Sequence, residues 1–422
     1  MLVLGHTDRD SRMSNAPKIN PDQLWQDLMA LACLGATAQG GCDRLSLTEA
    51  DAAARNLFRL WCEDAGFTVR VDAMGNMFAR LEGADPSLPP VLMGSHLDTQ
   101  SPGGKFDGPL GVLAALEAAR AIGRTGTRTR RAIEIVNWTN EEGARFAPGL
   151  MGSGVFAGAV TLEAAHAAQD RAGDSFGAAL KRIRYLGEEP VGGREIDSYV
   201  ELHVEQGPEL ERTGTTIAAV SHSNYLVYIT VECLGANGHT QATHFATQRN
   251  ALLGSAKALV EIERIATTLE SRAAVSQLDV WPNNRVNVPH RTTFSVMMVE
   301  PQKEKMLALR GQILAALDSI GTEMGLTFTI RADATREPVI FPEEMVTLIE
   351  DVSKDLGHSV MRLSANTGHD ALSMGPICPT ALIFVPSRDG ISHSDYEYTS
   401  PDHCAAGAEV LMHAVLRRAN RT

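Results

Sequence analysis

Four short stretches of this sequence carry side chains able to hold a metal or move a proton. "VLMGSHLDTQSPGGKFDGPLGV", residues 91–112, ends an apolar run with His96 and Asp98 and returns eleven residues after the His with Asp107. "NWTNEEG" sets Glu141 and Glu142 beyond a second apolar run. "SYVELHVEQGPELE" holds His203 and Gln206, and "FVPSRDGISHSDYE" holds His393 in a Gly/Ser loop. Imidazoles and carboxylates without thiolates suit Zn²⁺, Mn²⁺, Co²⁺ or Ni²⁺. Two such ions about 4 Å apart need one carboxylate to bridge them and terminal ligands on either side; three His and two acids supply that number. Asp98 lies too near His96 to add an independent direction, so its natural task is to accept the imidazole's other ring N–H. In an extended segment Glu141 and Glu142 point opposite ways, leaving one to ligate and the other free to act as a base. Taken singly, each group has a plainer role. A histidine at a strand end can be structural, a Glu pair can open a helix where acids suit the dipole, and Asp107 can be a turn residue.

The elements that must position these groups follow from periodicity. Residues 21–66 read as two helices, "PDQLWQDLMALACLG" and "TEADAAARNLFRLWCEDAG", the second started by Thr48 and stopped at Gly66. "FTVRVDAMG", "NMFARLEG", "PPVLMGSH" and "RAIEIVNWTNEEG" read as strands around the small-residue helix "GPLGVLAALEAARAIGRTG". Strand, helix, strand predicts an α/β domain with a mostly parallel sheet and helices on both faces. In such sheets ligands gather beyond the carboxyl ends of the strands, where the four stretches fall. From about residue 224 the order becomes βαββαβ, the mark of a small two-layer α+β domain of ferredoxin-like type. After "REPVIF" a helix, "PEEMVTLIEDVSKDLG", and the strand "PTALIFVPS" resume the first pattern. The expected organisation is a catalytic domain of residues 19–223 and 337–422, an inserted domain of residues 224–336, and a flexible tail over residues 1–18. Met13 is an alternative start within that tail.

A chain of 422 residues has the length of two domains, and 44% hydrophobic with 21% charged residues is an ordinary globular composition. A formal charge of −13 argues against nucleic acid and anionic membrane surfaces as partners. No apolar run of about twenty residues is present to cross a membrane. Six scattered cysteines without a CxxC pair predict reduced thiols and a cytoplasmic location.

"GSHLDT…GGKFDGPLGV", "TNEEGARF", "ELHVEQGP", "GHDA" and "FVPSRDGISHSDYE" together resemble the hydantoinase/carbamoylase branch of the M20 metallopeptidase-like amidohydrolases. That branch includes N-carbamoyl-L-amino-acid hydrolases, β-ureidopropionases and allantoate amidohydrolases, and the likeness runs from about residue 20 to the C-terminus. It implies two divalent ions per subunit, Zn²⁺ foremost, with Mn²⁺, Co²⁺ or Ni²⁺ as substitutes. His96, Asp107 and His203 would hold one ion, and Asp107, Glu142 and His393 the other. The resemblance makes Glu141 the general base and Gln206 a contact to the ureido or amide group of a small-molecule substrate. His239 would polarise the scissile carbonyl, and Asn287, Gly368 and His369 would line the substrate site. It implies a homodimer through the inserted lid domain, with His239 able to act from the partner subunit.

Several positions depart from the family's pattern. Met297 and Val299 replace the Asp and the carboxylate-binding Arg of "F-x-x-D-x-R", with Arg285 and Arg291 as nearby cations. His244 and Phe245 replace Pro and Met after the lid His, and "SANTGHDA" replaces "SGAGHDA". The expected activity is hydrolysis of a C–N bond in an N-carbamoyl or related N-acyl small molecule, with a remodelled specificity pocket. An aminoacylase- or dipeptidase-like amidase is the alternative within the same chemistry. A metal- or ligand-binding homologue without catalysis is the alternative outside it.

Overall fold

A computed structural model of the chain describes residues 16–126 and 128–422. The strands are β1 (Thr68–Val71), β2 (Met77–Leu81), β3 (Val91–His96), β4 (Ile133–Trp138), β5 (Ser198–Val204) and β6 (Ile217–Ser223). Then come β7 (Tyr225–Leu234), β8 (Gly238–His239), β9 (Arg272–Trp281), β10 (Asn287–Val288), β11 (Arg291–Glu300) and β12 (Thr327–Arg336). β13 (Val360–Ala365) and β14 (Thr380–Val385) complete the set. The chain packs as two units. The first runs to Ser221 and adds Ile340–Leu363 and Thr367–Thr422; the second is His222–Val339 with Ser364–Asn366. The tail expected over residues 1–18 lies mostly outside the described residues.

The eight-stranded sheet has the order β1-β2-β4-β3-β5-β14-β6-β13. β4, β3, β5 and β14 run parallel to one another; β2 is antiparallel to β1 and β4, and β6 to β14. The sheet is therefore mixed, where a mostly parallel one is expected from the sequence. The physical reason is visible between β1 and β2. A parallel neighbour needs a long crossover, and here a tight turn intervenes instead. Asp72 accepts the main-chain N–H groups of Met74 and Asn76 at 2.9 and 3.0 Å, and Gly75 supplies the positive φ of 80°.

Every residue of the four parallel strands is buried, as strands covered on both faces must be. The helix Pro109–Arg124 lies very close to them. A Cβ on Gly111 would meet the Leu202 carbonyl at 2.4 Å and Ser95 Cβ at 2.7 Å. Asn20 caps the helix Pro21–Ala32 through Gln23 N–H, and Thr48 caps Glu49–Asp64 through Asp51 N–H.

In the second unit the antiparallel sheet β12-β7-β11-β9 packs on the helices Ala251–Thr268 and Lys303–Met324. Val227, Ile229 and Val231 of β7 and Phe294, Val296 and Met298 of β11 face the helices, the period-2 alternation that marks a one-sided sheet. β8 and β10 form a separate ribbon that sets His239 opposite Asn287. Among the described residues no helix is long and apolar enough to cross a membrane.

Candidate metal centre and active site

The parallel run of β3, β4, β5 and β14 brings their carboxyl ends to one edge of the sheet. His96 is the last residue of β3 and pairs with Trp138, the last of β4. His203, near the end of β5, pairs with Phe384 of β14. Asp107 returns to this edge through the Gly-rich loop. Gly108, at φ 81°, lies under the His96 ring, and a Cβ there would come 2.3 Å from His96 Cε1. Glycine is the residue that permits both that backbone and that approach.

Asp107 is shared between two groups of candidate ligands. Its Oδ1 lies 3.1 Å from His203 Nε2 and 3.8 Å from His96 Nε2. Its Oδ2 lies 3.3 Å from His393 Nε2, which is also 3.3 Å from Glu142 Oε2. The ligand atoms of His96, Asp107 and His203 lie within 4.8 Å of one another, as do those of Asp107, Glu142 and His393. Glu141 belongs to neither trio, although its Oε2 is 3.4 Å from His96 Nε2.

The main chain orients the rings. His96 Nδ1 is 2.9 Å from the Asp98 carbonyl and His203 Nδ1 2.9 Å from the Val204 carbonyl. Each Nδ1 therefore carries a donated hydrogen when the ring is neutral, and each Nε2 presents its lone pair. The buried His96 Nε2 has no hydrogen-bond partner. The Asp98 carboxylate, expected to hold the His96 ring, does another job. It stands 3.7 Å from His96 Nδ1 and accepts the main-chain N–H groups of Glu141 and Glu142, each at 3.3 Å. The carbonyl of the same residue already fills the ring's donor direction, so the carboxylate is free to pin the Glu141–Glu142 turn. Gln100 Nε2 donates to Glu142 Oε2 at 2.8 Å.

Buried charge dominates the electrostatics. Burial, followed by Asp370 and Glu142, raises the Glu141 carboxyl well above its ordinary range. Glu142 is pushed up to about 8 by burial and by Asp107. Burial would raise Asp107 too, but His203 and His393 outweigh it and hold that carboxyl well below the usual range. Burial lowers His96 to about 4. For His203 burial acts the same way, yet Asp107 overrides it and lifts the ring to about 9. Such a concentration of carboxylates away from water is costly unless cations compensate it.

Gln206 and His393 hold left-handed backbones at φ 58° and 51°, a strained conformation for residues of this type that a packed site can enforce. Gln206 Nε2 donates to Asp107 Oδ2 at 2.7 Å. His369 is buried, its ring centroid 4.5 Å from that of His203, and the half-buried Gly368 precedes it. The first unit thus gathers His96, Asp98, Asp107, Glu141, Glu142, His203, Gln206, Gly368, His369 and His393. His239 and Asn287 belong to the second unit. There His239 Nδ1 accepts the N–H groups of Gln241 and Ala242 at 3.2 Å each, so a neutral His239 carries its proton on Nε2.

Sequence reasoning passed over Glu397 and Arg272. Glu397 accepts the N–H groups of Phe106 and Asp107 at 3.0 Å each, anchoring the loop that delivers Asp107. Ser392 Oγ lies 2.8 Å from Asp107 Oδ2 and 2.7 Å from Glu397 Oε2. One hydroxyl proton cannot serve both, and Glu397, raised to about 7 by burial and Asp107, is the carboxyl able to carry a second. Its place four residues after His393 in "HSDYE" was the available signal. Arg272 stands directly across the β9–β11 ladder from Val299, and opposite residues share a face. Of the two nearby cations considered, Arg291 is engaged over the Trp281 ring at 5.7 Å. Only strand register could reveal the Arg272–Val299 pairing.

Residues 92–417 match the sequence pattern of peptidase family M20/M25/M40. The N-carbamoyl-L-amino-acid amidohydrolase of Rhizobium meliloti is 42% identical over 404 residues, 95% of this chain and 97% of that protein. The allantoate amidohydrolase of Bacillus subtilis is 30% identical, covering 90% of this chain and 93% of its own. A crystal structure of a hydantoinase/carbamoylase family amidase from Burkholderia vietnamiensis superposes with a TM-score of 0.94 at 37% identity, over 96% of this chain and 99% of that one.

Proposed function

Because the chain belongs to peptidase family M20/M25/M40, in its hydantoinase/carbamoylase branch of amidohydrolases, we propose that it hydrolyses the C–N bond of an N-carbamoyl or related ureido small molecule. The observation that carries this reading is Asp107, common to two ligand trios, with Glu141 beside them and in neither. The donor set fits a pair of divalent ions: imidazole Nε2 lone pairs, a buried unpartnered His96 Nε2, and carboxylates with no thiolate. His96, Asp107 and His203 would hold one ion and Asp107, Glu142 and His393 the other, with Zn²⁺ foremost. When bound, such ions supply Lewis acidity and ease the ionisation of water.

The protein's own groups do the rest. Glu141 accepts the proton of the attacking water and returns it to the leaving nitrogen, a task suited to a buried carboxyl with raised proton affinity. Asp98 holds Glu141 and Glu142 in place through their main-chain N–H groups. His239, protonated on Nε2 in its neutral form, donates to the developing oxyanion. Lacking a guanidinium at Val299, the specificity pocket departs from the family, and Arg272 across the ladder offers the replacement for an anionic substrate.

We further propose that the protein is a homodimer through its second unit, whose helices expose Leu253, Val260 and Leu307. A cytoplasmic location agrees with its six free cysteines. Turnover of matched N-carbamoyl and N-acyl amino acids, before and after chelation and with Zn²⁺ restored, tests the reading. Loss on chelation with recovery on the N-carbamoyl series supports it. Restored activity confined to N-acyl substrates sinks the ureido assignment.

A further inference from the structure

The amide of Gln206 is held at both ends. Nε2 donates to Asp107 Oδ2 at 2.7 Å, and Oε1 accepts the Thr367 hydroxyl at 2.6 Å. The Thr367 oxygen also lies 3.0 Å from His369 Nε2. These contacts form one directional chain in which every proton is used once. His369 Nε2–H donates to Thr367 Oγ1, Thr367 Oγ1–H donates to Gln206 Oε1, and Gln206 Nε2–H donates to Asp107. Reversing the amide would set its carbonyl oxygen against the Asp107 carboxylate, two acceptors at hydrogen-bond distance. The Gln206 backbone cannot relax to compensate. Its φ is 58° and its N–H donates to Ser387 Oγ at 3.1 Å. Thr367 lies in "SANTGHDA", a stretch that departs from the family pattern.

We propose that Thr367 is a positioning residue that fixes which end of the Gln206 amide faces Asp107 and His393. The second Nε2 hydrogen then lies toward Ser392 Oγ and His393 Nε2, 3.4 Å away each, contacts long enough for a substrate oxygen, carbonyl or carboxylate, to displace. The substrate clause rests on the amidohydrolase reading; the orientation of the amide does not.

Thr367→Val keeps the shape of the side chain and removes the hydroxyl, Thr367→Ser keeps the hydroxyl, and Gln206→Ala removes the residue acted upon. With an N-carbamoyl amino acid as probe, Thr367→Val is expected to raise KM about threefold to tenfold, the range for one lost neutral hydrogen bond. We expect kcat to stay within about twofold and Thr367→Ser to match wild type. In the Gln206→Ala background Thr367→Val is expected to add nothing, because the two residues act as one unit. A Thr367→Val defect that persists in that background, or an equal defect in Thr367→Ser, overturns the proposal.

A second readout needs no turnover. The Gln206 side-chain amide protons, identified by their absence in Gln206→Ala, should be dispersed and slow to exchange with solvent in wild type and Thr367→Ser. In Thr367→Val they should average toward exposed-glutamine values. If wild type hydrolyses no probe, the functional reading fails and the amide signals still decide the role of Thr367. Unchanged amide signals in Thr367→Val overturn it.

Discussion

The four parallel strands of the first unit end among His96, Glu141, Glu142, His203 and His393, while the second unit's sheet buries Val227, Ile229, Val231, Phe294, Val296 and Met298 against two helices. Both regions are well packed, but they use burial for opposite ends. In the second unit burial removes apolar surface from water and stabilises the fold. At the strand ends of the first unit it strips water from acids and imidazoles, which costs stability and alters their proton affinities. The difference teaches where to look for chemistry: the costly polar burial is at the strand ends, and the second unit's apolar core is an ordinary frame.

Substitutions in the two regions should separate cleanly, and the largest separation is expected at Glu141. Replacing it with Gln should lower kcat by about 10²–10⁴-fold, the usual share of a general base. The melting temperature should hold or rise, because a buried carboxyl among Asp370 and Glu142 is removed. Calorimetry alongside steady-state kinetics checks both; a large loss of stability with modest loss of rate would reverse the comparison. Phe294→Ala should do the opposite, costing about 3–5 kcal/mol of stability through lost burial and a cavity. Denaturant titration measures that loss, and a cost under about 1 kcal/mol would show that the second unit's core is not what holds it together.

How far these contrasts were legible in the sequence depends on the physics behind each. The alternation of β7 and the helix start at Thr48 are local signals, and the structure follows them. The four chemical stretches are also local, which is why His96, Asp107, His203 and His393 could be singled out by residue type and strand end. The mixed sheet was missed because strand direction depends on which strands become neighbours, and β2 joins β4 rather than β3. Asp98 does meet the His96 ring, but through its carbonyl, and spacing could not say that the carboxylate would turn to the Glu141 and Glu142 main chain instead. The left-handed backbones of Gln206 and His393 left no trace, since neither is a Gly or Asn that would announce them.

A sharper form of the comparison concerns Arg272, where the second unit is read as touching function. Arg272→Ala should lower kcat/KM about 10–100-fold on a substrate with an α-carboxylate, as for a lost charge-assisted hydrogen bond, and leave the matching neutral carboxamide nearly unchanged. Equal losses on both substrates would return the open sheet face to a purely structural role.

The smallest effect is expected at Glu134, a buried charge near the start of β4, at the opposite end of that strand from Glu141 and Glu142. Burial would raise its carboxyl, but Arg194, Arg80 and Arg70 outweigh it and hold the group below its ordinary value. A depressed folded pKa stabilises fully above the unfolded value near 4.3 and is lost as pH falls through the folded value. Glu134→Gln should therefore cost about 1–3 kcal/mol near pH 7, moderated by the partial exposure of Arg70 and Arg194. That gap to wild type should close below about pH 4. Melting temperatures across pH 3–7 provide the check, and a gap that widens on acidification would contradict the assignment.

The most direct test of the shared-carboxylate centre is the metal content of purified protein after dialysis against Zn²⁺ and removal of loosely held ions. Two ions per chain are expected in wild type, about one after His203→Ala or His393→Ala, and close to none after Asp107→Ala. A single ion in wild type, or an Asp107→Ala variant that still retains two, would contradict a centre built around that one carboxylate.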